Sequence, residues 1–328
     1  MTSKLTLITT ILNEASTIKL LLQALFRQTS FPDEIIFVDG GSSDKTVEII
    51  KKFIKNNSNH PLSKKISVKI LSGSNRAQAR NWAINQAKTN LIAITDAGCI
   101  PQPSWLEKLY KTYQESNPPI VGGFFYGLPS NAFEQAVVAY TLQMPNKVNP
   151  NNFLPTTRSV LITKEAWRKL GGFNEKLTTN EDFPFFYHAK QMKMKITLAK
   201  SALVGWIPRK NLTSFIKMIY GFAKGDIEAG IVRPKVQLLF GRYLLVVFAT
   251  LYLLFIKEVS IIKLMLTLGL WLTIYLIWAI WKNIRYTPQG WYWLPTMQLM
   301  ADFAVMCGSV CGLKKRLVDS LFSRRNLN

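Results

Sequence analysis

Acidic residues stand at the ends of apolar runs in this sequence. Thr9-Thr10-Ile11-Leu12-Asn13-Glu14 closes one run and Val38-Asp39-Gly40-Gly41-Ser42-Ser43-Asp44 closes another. Thr95-Asp96-Ala97-Gly98-Cys99 closes a third. A carboxylate followed by a Gly-rich turn that opens a helix, at the C-terminal end of a parallel strand, is where α/β sheets receive ligands. The freed amides and the helix N-terminus suit phosphate, and a carboxylate suits the hydrogen-bond donors of a base or ribose. Taken alone, each turn is equally a capped βα turn, with Asp44 accepting amide bonds in the first turn of the next helix.

Arg76 and Arg80 are four residues apart, so one helix face carries both. Their planar forks can hold a diphosphate; the alternative is a solvated basic face. Gly171-Gly172-Phe173-Asn174-Glu175 leads to Asn180-Glu181-Asp182-Phe183, where two adjacent acids open a helix. The dipole favours negative charge there. Such acids are plain caps or the source of a general base. Cys99 reads as a small buried filler rather than a nucleophile.

The elements that must place these residues alternate in the manner of βαβ units. Candidate strands are Leu5–Ile11, Glu34–Val38, Ser67–Leu71, Leu91–Thr95, Ile120–Phe125, Arg158–Thr163 and Lys195–Leu198. Candidate helices are Ser16–Gln28, Asp44–Lys55, Arg76–Ala87, Pro103–Ser116, Asn131–Thr141 and Glu181–Gln191. Pro103 suits a first helical turn. Met144–Pro155, with three Pro and four Asn, reads as a long loop of the kind that closes over binding sites.

The chain has 328 residues, 41 Lys plus Arg against 19 Asp plus Glu, and 48% hydrophobic residues. That hydrophobicity excludes disorder as the main state. Three Cys and two His exclude a disulfide framework and argue against a Cys/His zinc centre. The net charge of +22 calls for an anionic partner, whether nucleic acid, anionic lipid or a phosphorylated substrate. The N-terminus lacks the basic region and long apolar core of a secretory signal.

From residue 236 the character changes. Val236–Ile256 and Val259–Trp281 are apolar except for Arg242 and Lys263, each near an end. Both match the length of about 20 residues that crosses a hydrocarbon core. Trp278, Trp281, Trp291, Tyr292 and Trp293 suit an aromatic belt. Pro295–Leu313 is apolar but holds Asp302, Gly308 and Gly312, and Lys314-Lys315-Arg316 follows. A basic tail on the cytoplasmic side favours two crossings and an interfacial helix over three crossings. Asn211–Gly230 is amphipathic, with Phe215, Met218, Ile219 and Phe222 on one face and Lys210, Lys217 and Lys224 recurring. It suits a membrane surface or a packed helix equally.

In this order and spacing the residues resemble the family 2 glycosyltransferases. The match rests on Asn13-Glu14, Asp39 to Asp44, Gly73 through Arg80-Asn81, Thr95 to Gly98, Gly171-Gly172-Phe173 and Glu181-Asp182, and covers residues 4–207. The resemblance implies a Rossmann-like nucleotide-binding α/β domain of the GT-A type, with a nucleotide-binding half at 1–118 and an acceptor half at 119–207. It implies a nucleotide-diphosphate sugar as donor, UDP-linked, and an inverting transfer. Donor-binding residues are then Thr10, Asn13, Glu14, Asp39, Gly41, Ser42, Arg76, Arg80, Asp96 and Ala97. Asp182 is the base, with Glu181 beside it.

Two departures qualify this. The family's usual Asp-x-Asp has Gly98 in its third position, so Asp96 is the one expected ligand of a divalent cation, Mg²⁺ or Mn²⁺. No Gln-x-x-Arg-Trp motif of the processive synthases follows Asp182, which favours transfer of one sugar. The resulting expectation is a transferase of the cell's inner membrane, with a cytoplasmic catalytic domain, a linker helix at 208–235, two spanning helices in 236–281 and a basic tail at 314–328. Its partners are a lipid-linked glycan or glycolipid acceptor and anionic lipid, not nucleic acid, for which no recognition module is present. A polyprenyl-phosphate sugar synthase, whose nucleophile is already ionised, and a binding protein that has lost catalysis are the alternatives.

Overall fold

A computed structural model describes residues 4–255 and 260–325. Eight strands form one mixed sheet in the order β3-β2-β1-β4-β7-β6-β8-β5. They are β1 (Leu5–Ile11), β2 (Glu34–Asp39), β3 (Ile66–Ile70), β4 (Leu91–Ile94), β5 (Cys99–Pro101), β6 (Ile120–Gly127), β7 (Val160–Thr163) and β8 (Ile196–Trp206). Strands β3, β2, β1 and β4 run parallel, so their C-terminal ends share one edge. Strand β7 is antiparallel to β4 and to β6. The apolar runs of β1 and β4 are buried along nearly their whole length, as strands covered on both faces must be.

The helices are α1 (Ile18–Phe26), α2 (Thr46–Asn56), α3 (Arg76–Gln86), α4 (Trp105–Ser116), α5 (Ala132–Thr141), α6 (Lys164–Lys169) and α7 (Asp182–Gln191). After the sheet come α8 (Leu212–Glu228), α9 (Pro234–Phe255), α10 (Ile261–Asn283) and α11 (Leu294–Arg325). Two compact units result: residues 1–128 with 143–207, and residues 129–142 with 208–328. Helix α5 therefore clusters with the C-terminal helices, although its sequence lies inside the span read as the acceptor half.

Most expected elements form, and the differences have local causes. Strand β8 runs on to Trp206 instead of stopping at Leu198, because the polar Lys200-Ser201 falls in a bulge. The β6 register jumps there from Gly123↔Ala199 to Phe124↔Leu203. Strand β5 was not expected. It holds Pro101 because it is the edge of the sheet, paired only with β8. Pro103 stays ahead of α4, and its carbonyl accepts a bond from the Thr29 amide at 2.8 Å. The Met144–Pro155 loop contains two short 3-10 turns.

In the C-terminal unit, three helical segments among the described residues are long and apolar enough to cross a membrane: 234–255, 261–286 and 291–319. Leu244, Leu245, Phe248, Leu251 and Tyr252 on α9 and Ile261, Met265, Leu266 and Leu270 on α10 are exposed. The Lys257-Glu258 link and the end of the tail lie outside the described residues. Helix α11 is continuous, and Asp302 does not interrupt it. Asp302 is buried and accepts bonds from Arg242 Nη2 at 3.0 Å, Tyr243 Oη at 3.0 Å and Tyr275 Oη on one oxygen, and from Gln298 Nε2 at 2.8 Å on the other. The polar residue in the apolar run thus joins α9, α10 and α11. Gly308-Ser-Val-Cys-Gly312 has the small-xxx-small spacing that lets helix backbones touch. A Cβ at Gly308 would lie 2.5 Å from the Tyr220 carbonyl oxygen and one at Gly312 2.7 Å from that of Lys224, so α8 crosses α11 through these two glycines.

Candidate active site

The first group of expected residues closes on itself at the ends of β1 and β2. Asp39 is 1% exposed, and its carboxylate accepts from the amides of Gly41 at 3.1 Å and Ser42 at 2.9 Å and from the Ser42 hydroxyl. Gly41, at φ +100°, supplies the turn this requires. Asn13, at φ +55°, donates its amide to Ser42 Oγ at 2.8 Å and accepts from the Ser43 amide at 2.9 Å. The Glu14 amide donates to Thr46 Oγ1 at 2.8 Å, and Asp44 accepts from the amides of Ala15 and Thr46, each at 3.0 Å. The β1–α1 and β2–α2 turns are therefore one interlocked piece. Thr10 is half-buried in β1 opposite Val38, just before it.

The second group meets at the end of β4. An Asn75/Gln78 capping box fixes the start of α3, which carries Arg80 into the interior one turn later. Arg80 is 1% exposed. Its Nη1 pairs with Glu181 Oε1, and its Nη2 with Asp96 Oδ1 at 3.1 Å. Arg76, on the same helix face but more than half exposed, lies 3.9 Å from the same Glu181 oxygen. The expected basic face is thus split, with Arg80 inside and Arg76 at the rim. Ala97 is buried behind Asp96.

The loop before α7 is held to α3. Asn81 accepts from the Phe173 amide at 2.9 Å and donates to the Phe173 carbonyl and to Glu175 Oε1, each at 2.8 Å. Gly171 and Gly172 take left-handed φ of +75° and +76°, and a Cβ at Gly172 would lie 3.0 Å from Asn81 Oδ1. This tether brings Glu181 and Asp182 to the sheet edge.

The two adjacent acids are in unlike states. Burial works against the Glu181 charge, but Arg80 and then Arg76 outweigh it and hold that carboxyl below the ordinary glutamate range. Asp182 keeps part of its surface accessible. Its Oδ2 has only long contacts, to the Thr157 amide at 3.3 Å and hydroxyl at 3.4 Å, and its Oδ1 accepts from the Phe183 amide at 3.0 Å. Burial, then the Glu181 charge, push Asp182 above the ordinary aspartate range, against the pull of Arg80. A carboxylate with raised proton affinity and solvent access can accept a proton; one locked to an arginine cannot.

Cys99 lies buried beneath this cluster, its thiol pushed up by burial and then by Asp96. Thr157 and Arg158 also line the cluster, and no sequence motif singled them out. The available signal was a lone arginine opening an apolar run.

Among the described residues no group of three His, Cys, Asp or Glu side chains is placed to hold a metal ion. Asp96 already gives one oxygen to Arg80, and Gly98 offers no side chain. Asp96 is the one side chain of this turn that could hold a divalent cation, with the other coordination positions left to water and donor oxygens.

The model of glycosyl transferase family 2 matches residues 6–175. Glycosyltransferase AglE of Haloferax volcanii is 27% identical over 239 residues, covering 70% of this chain and 75% of that protein. The dolichyl N-acetyl-alpha-D-glucosaminyl phosphate 3-beta-D-2,3-diacetamido-2,3-dideoxy-beta-D-glucuronosyltransferase of Methanococcus voltae is 27% identical over 232 residues, covering 65% of this chain and 70% of that one. In fold, the chain matches a mannosyltransferase from Pyrobaculum calidifontis, solved with GDP-Man and Mn²⁺. The TM-score is 0.65 at 15% identity, over 94% of this chain and 88% of that one.

Proposed function

The chain belongs to glycosyl transferase family 2 and is a glycosyltransferase, and from that premise we propose that it moves one sugar, with inversion, from a nucleotide-diphosphate sugar to a lipid-linked glycan or glycolipid at a membrane. Asp182 is the general base. It takes the proton of the acceptor hydroxyl as that oxygen bonds to the sugar's anomeric carbon. The bond from that carbon to the donor diphosphate breaks, and its electron pair leaves with the diphosphate.

The observation that carries this reading is the division of labour between the adjacent acids. Glu181 is 2% exposed and committed to Arg80. Asp182 is half-buried, its Oδ2 has only long contacts, and its proton affinity is raised. A lipid acceptor is supported by the three apolar helices and by the dolichyl-phosphate-linked substrate in the name of the Methanococcus voltae relative. The interlocked turn of Asn13, Glu14, Asp39, Gly41 and Ser42 faces the base and ribose, with Thr10 beneath it. Arg76 and Asp96 face the diphosphate and sugar, with Arg80 and Ala97 buried behind them.

The test compares Asp182→Asn with Glu181→Gln on folded protein. Losing a general base costs about 10²–10⁴-fold in rate, so transfer by Asp182→Asn falls by that order while donor affinity holds. Near-full transfer by Asp182→Asn would instead mark an acceptor already ionised, such as a polyprenyl phosphate. Thermal shifts with UDP and GDP test the donor: UDP alone raising the melting temperature supports a uridine nucleotide.

A further inference from the structure

Arg158 opens the chain into β7 and belongs to none of the motifs above. Its guanidinium carbon lies 5.1 Å from the centroid of the Phe125 ring and 5.2 Å from that of Trp206. Those rings come from β6 and β8. Among the described residues no carboxylate is close enough to pair with it, and its side chain donates no hydrogen bond. The contrast is Arg80, which holds two carboxylates. Aromatic faces attract a cation through their quadrupole without cancelling its charge. Arg158 is therefore a positioned cation with its charge unspent.

Its position relative to the acids is fixed through the backbone. Thr95 Oγ1 donates to the Arg158 carbonyl at 2.9 Å, one residue before Asp96. On the other side Thr157, the preceding residue, donates to Asp182 Oδ2. Arg158 thus sits at the junction of the β4 end and the α7 start, and its charge is felt at both Asp182 and Cys99. A side chain that only stapled two rings could as well be aliphatic, whereas Arg158 is half-buried and its guanidinium stays within reach of an incoming anion. What such a cation can receive is an anion, in a cluster where Asp96 is the one carboxylate at the end of β4 that could hold a metal.

We propose that Arg158 receives the donor's diphosphate, supplying from the protein the positive charge that a carboxylate-held divalent ion would otherwise bring. This rests on the nucleotide-sugar reading above. When the diphosphate leaves, its growing negative charge meets a guanidinium already in place, with no reorganisation needed.

The test is calorimetric titration of the purified full chain in EDTA with UDP and GDP and with the matching nucleosides. The wild type, Arg158→Gln and Arg158→Lys are compared, each checked for native circular dichroism. A charge-assisted bond of this kind supports a loss of about ten- to hundredfold in diphosphate affinity for Arg158→Gln, with nucleoside affinity unchanged. Arg158→Lys keeps the charge and loses less; it also serves if the glutamine variant does not fold. Diphosphate affinity within twofold of wild type in both variants overturns the proposal, as does equal loss of nucleoside and diphosphate. So does a strict need of the wild type for Mn²⁺ to bind diphosphate. Titration with a short-chain polyprenyl phosphate in detergent separates the other phosphate source: loss confined to it would assign Arg158 to the acceptor and overturn the proposal. A wild type that binds neither nucleotide would instead bring down the donor reading, and this proposal with it.

Discussion

Arg80 and Arg242 each reach a carboxylate that is almost fully buried, Glu181 in one unit and Asp302 in the other. Their surroundings differ. Around Asp302, four donors from three helices fill the carboxylate, and Arg242 lies 4.4 Å from the Tyr275 ring centroid. Around Glu181, one carboxylate oxygen and Arg80 Nε are buried with no partner, and Asp182 stands alongside with a raised proton affinity. Arg242 Nε is unpartnered as well, so the difference lies in the carboxylates: one bonded on both oxygens holds helices together. One left incomplete, beside solvent, costs stability and retains chemical potential for a substrate. An arginine–carboxylate pair thus serves cohesion in one place and, in the other, stands beside the proposed base.

The largest test of that contrast is to remove each arginine or its acid. Arg80→Ala leaves Glu181 charged and buried, which costs about 3–5 kcal/mol in such pairs. The expected outcome is a lower melting temperature together with loss of transfer. Asp302→Ala removes three interhelical bonds and one within α11 in an apolar setting, where interhelical bonds are worth about 0.6–2 kcal/mol each at most. The expected outcome there is reduced stability in detergent with nucleotide binding retained. If Asp302→Ala abolishes nucleotide binding, the hub is not merely cohesive. If Arg80→Ala melts normally, the incomplete network carries no structural load.

A second test uses pH. A base works only when deprotonated, so activity is present above the Asp182 pKa and lost as pH falls through it. Burial and Glu181 raise that pKa, so the acid limb of the rate profile lies above the ordinary aspartate value of about 3.9. For stability the sign is reversed. A carboxyl whose folded pKa is raised favours the folded state at low pH, below its unfolded value, and that contribution is lost as pH rises through the folded pKa. Asp182→Asn therefore melts higher than wild type at neutral pH while transferring sugar far more slowly. Equal melting temperatures would show that Asp182 bears no electrostatic burden. The smallest effect is expected from Tyr275→Phe, which deletes one of several bonds to Asp302 and costs about 0.5–1.5 kcal/mol. It is read as a small drop in melting temperature at unchanged activity.

The sequence showed the sheet edge well because each signal there is local. Asp39 and Asp96 each end an apolar run, and Gly41 marks the turn after the first, so each signal lies within its own short stretch of chain. What it hid depends on contacts between distant segments. Arg158 gains its meaning from Phe125 and Trp206, each more than thirty residues away in the chain. Asp302 read as a break in an apolar run because its partners Arg242, Tyr243 and Tyr275 sit on other helices. Gly308 and Gly312 likewise read as weak points until α8 lay against them. The choice between Glu181 and Asp182 was open on position alone, and Arg80 is what distinguishes them.

The burial of Cys99 under Asp96 has a practical side. A thiol attacks alkylating and disulfide reagents as its anion, and burial and the Asp96 charge disfavour that anion here. Cys307 and Cys311 lie at the surface of α11, within the apolar stretch 291–319, Cys311 the more exposed. A maleimide added to folded protein therefore spares Cys99, and its reaction with Cys307 and Cys311 reads how far water reaches along α11. A background for placing single reporter cysteines along the helices needs those two positions replaced and Cys99 left as it is.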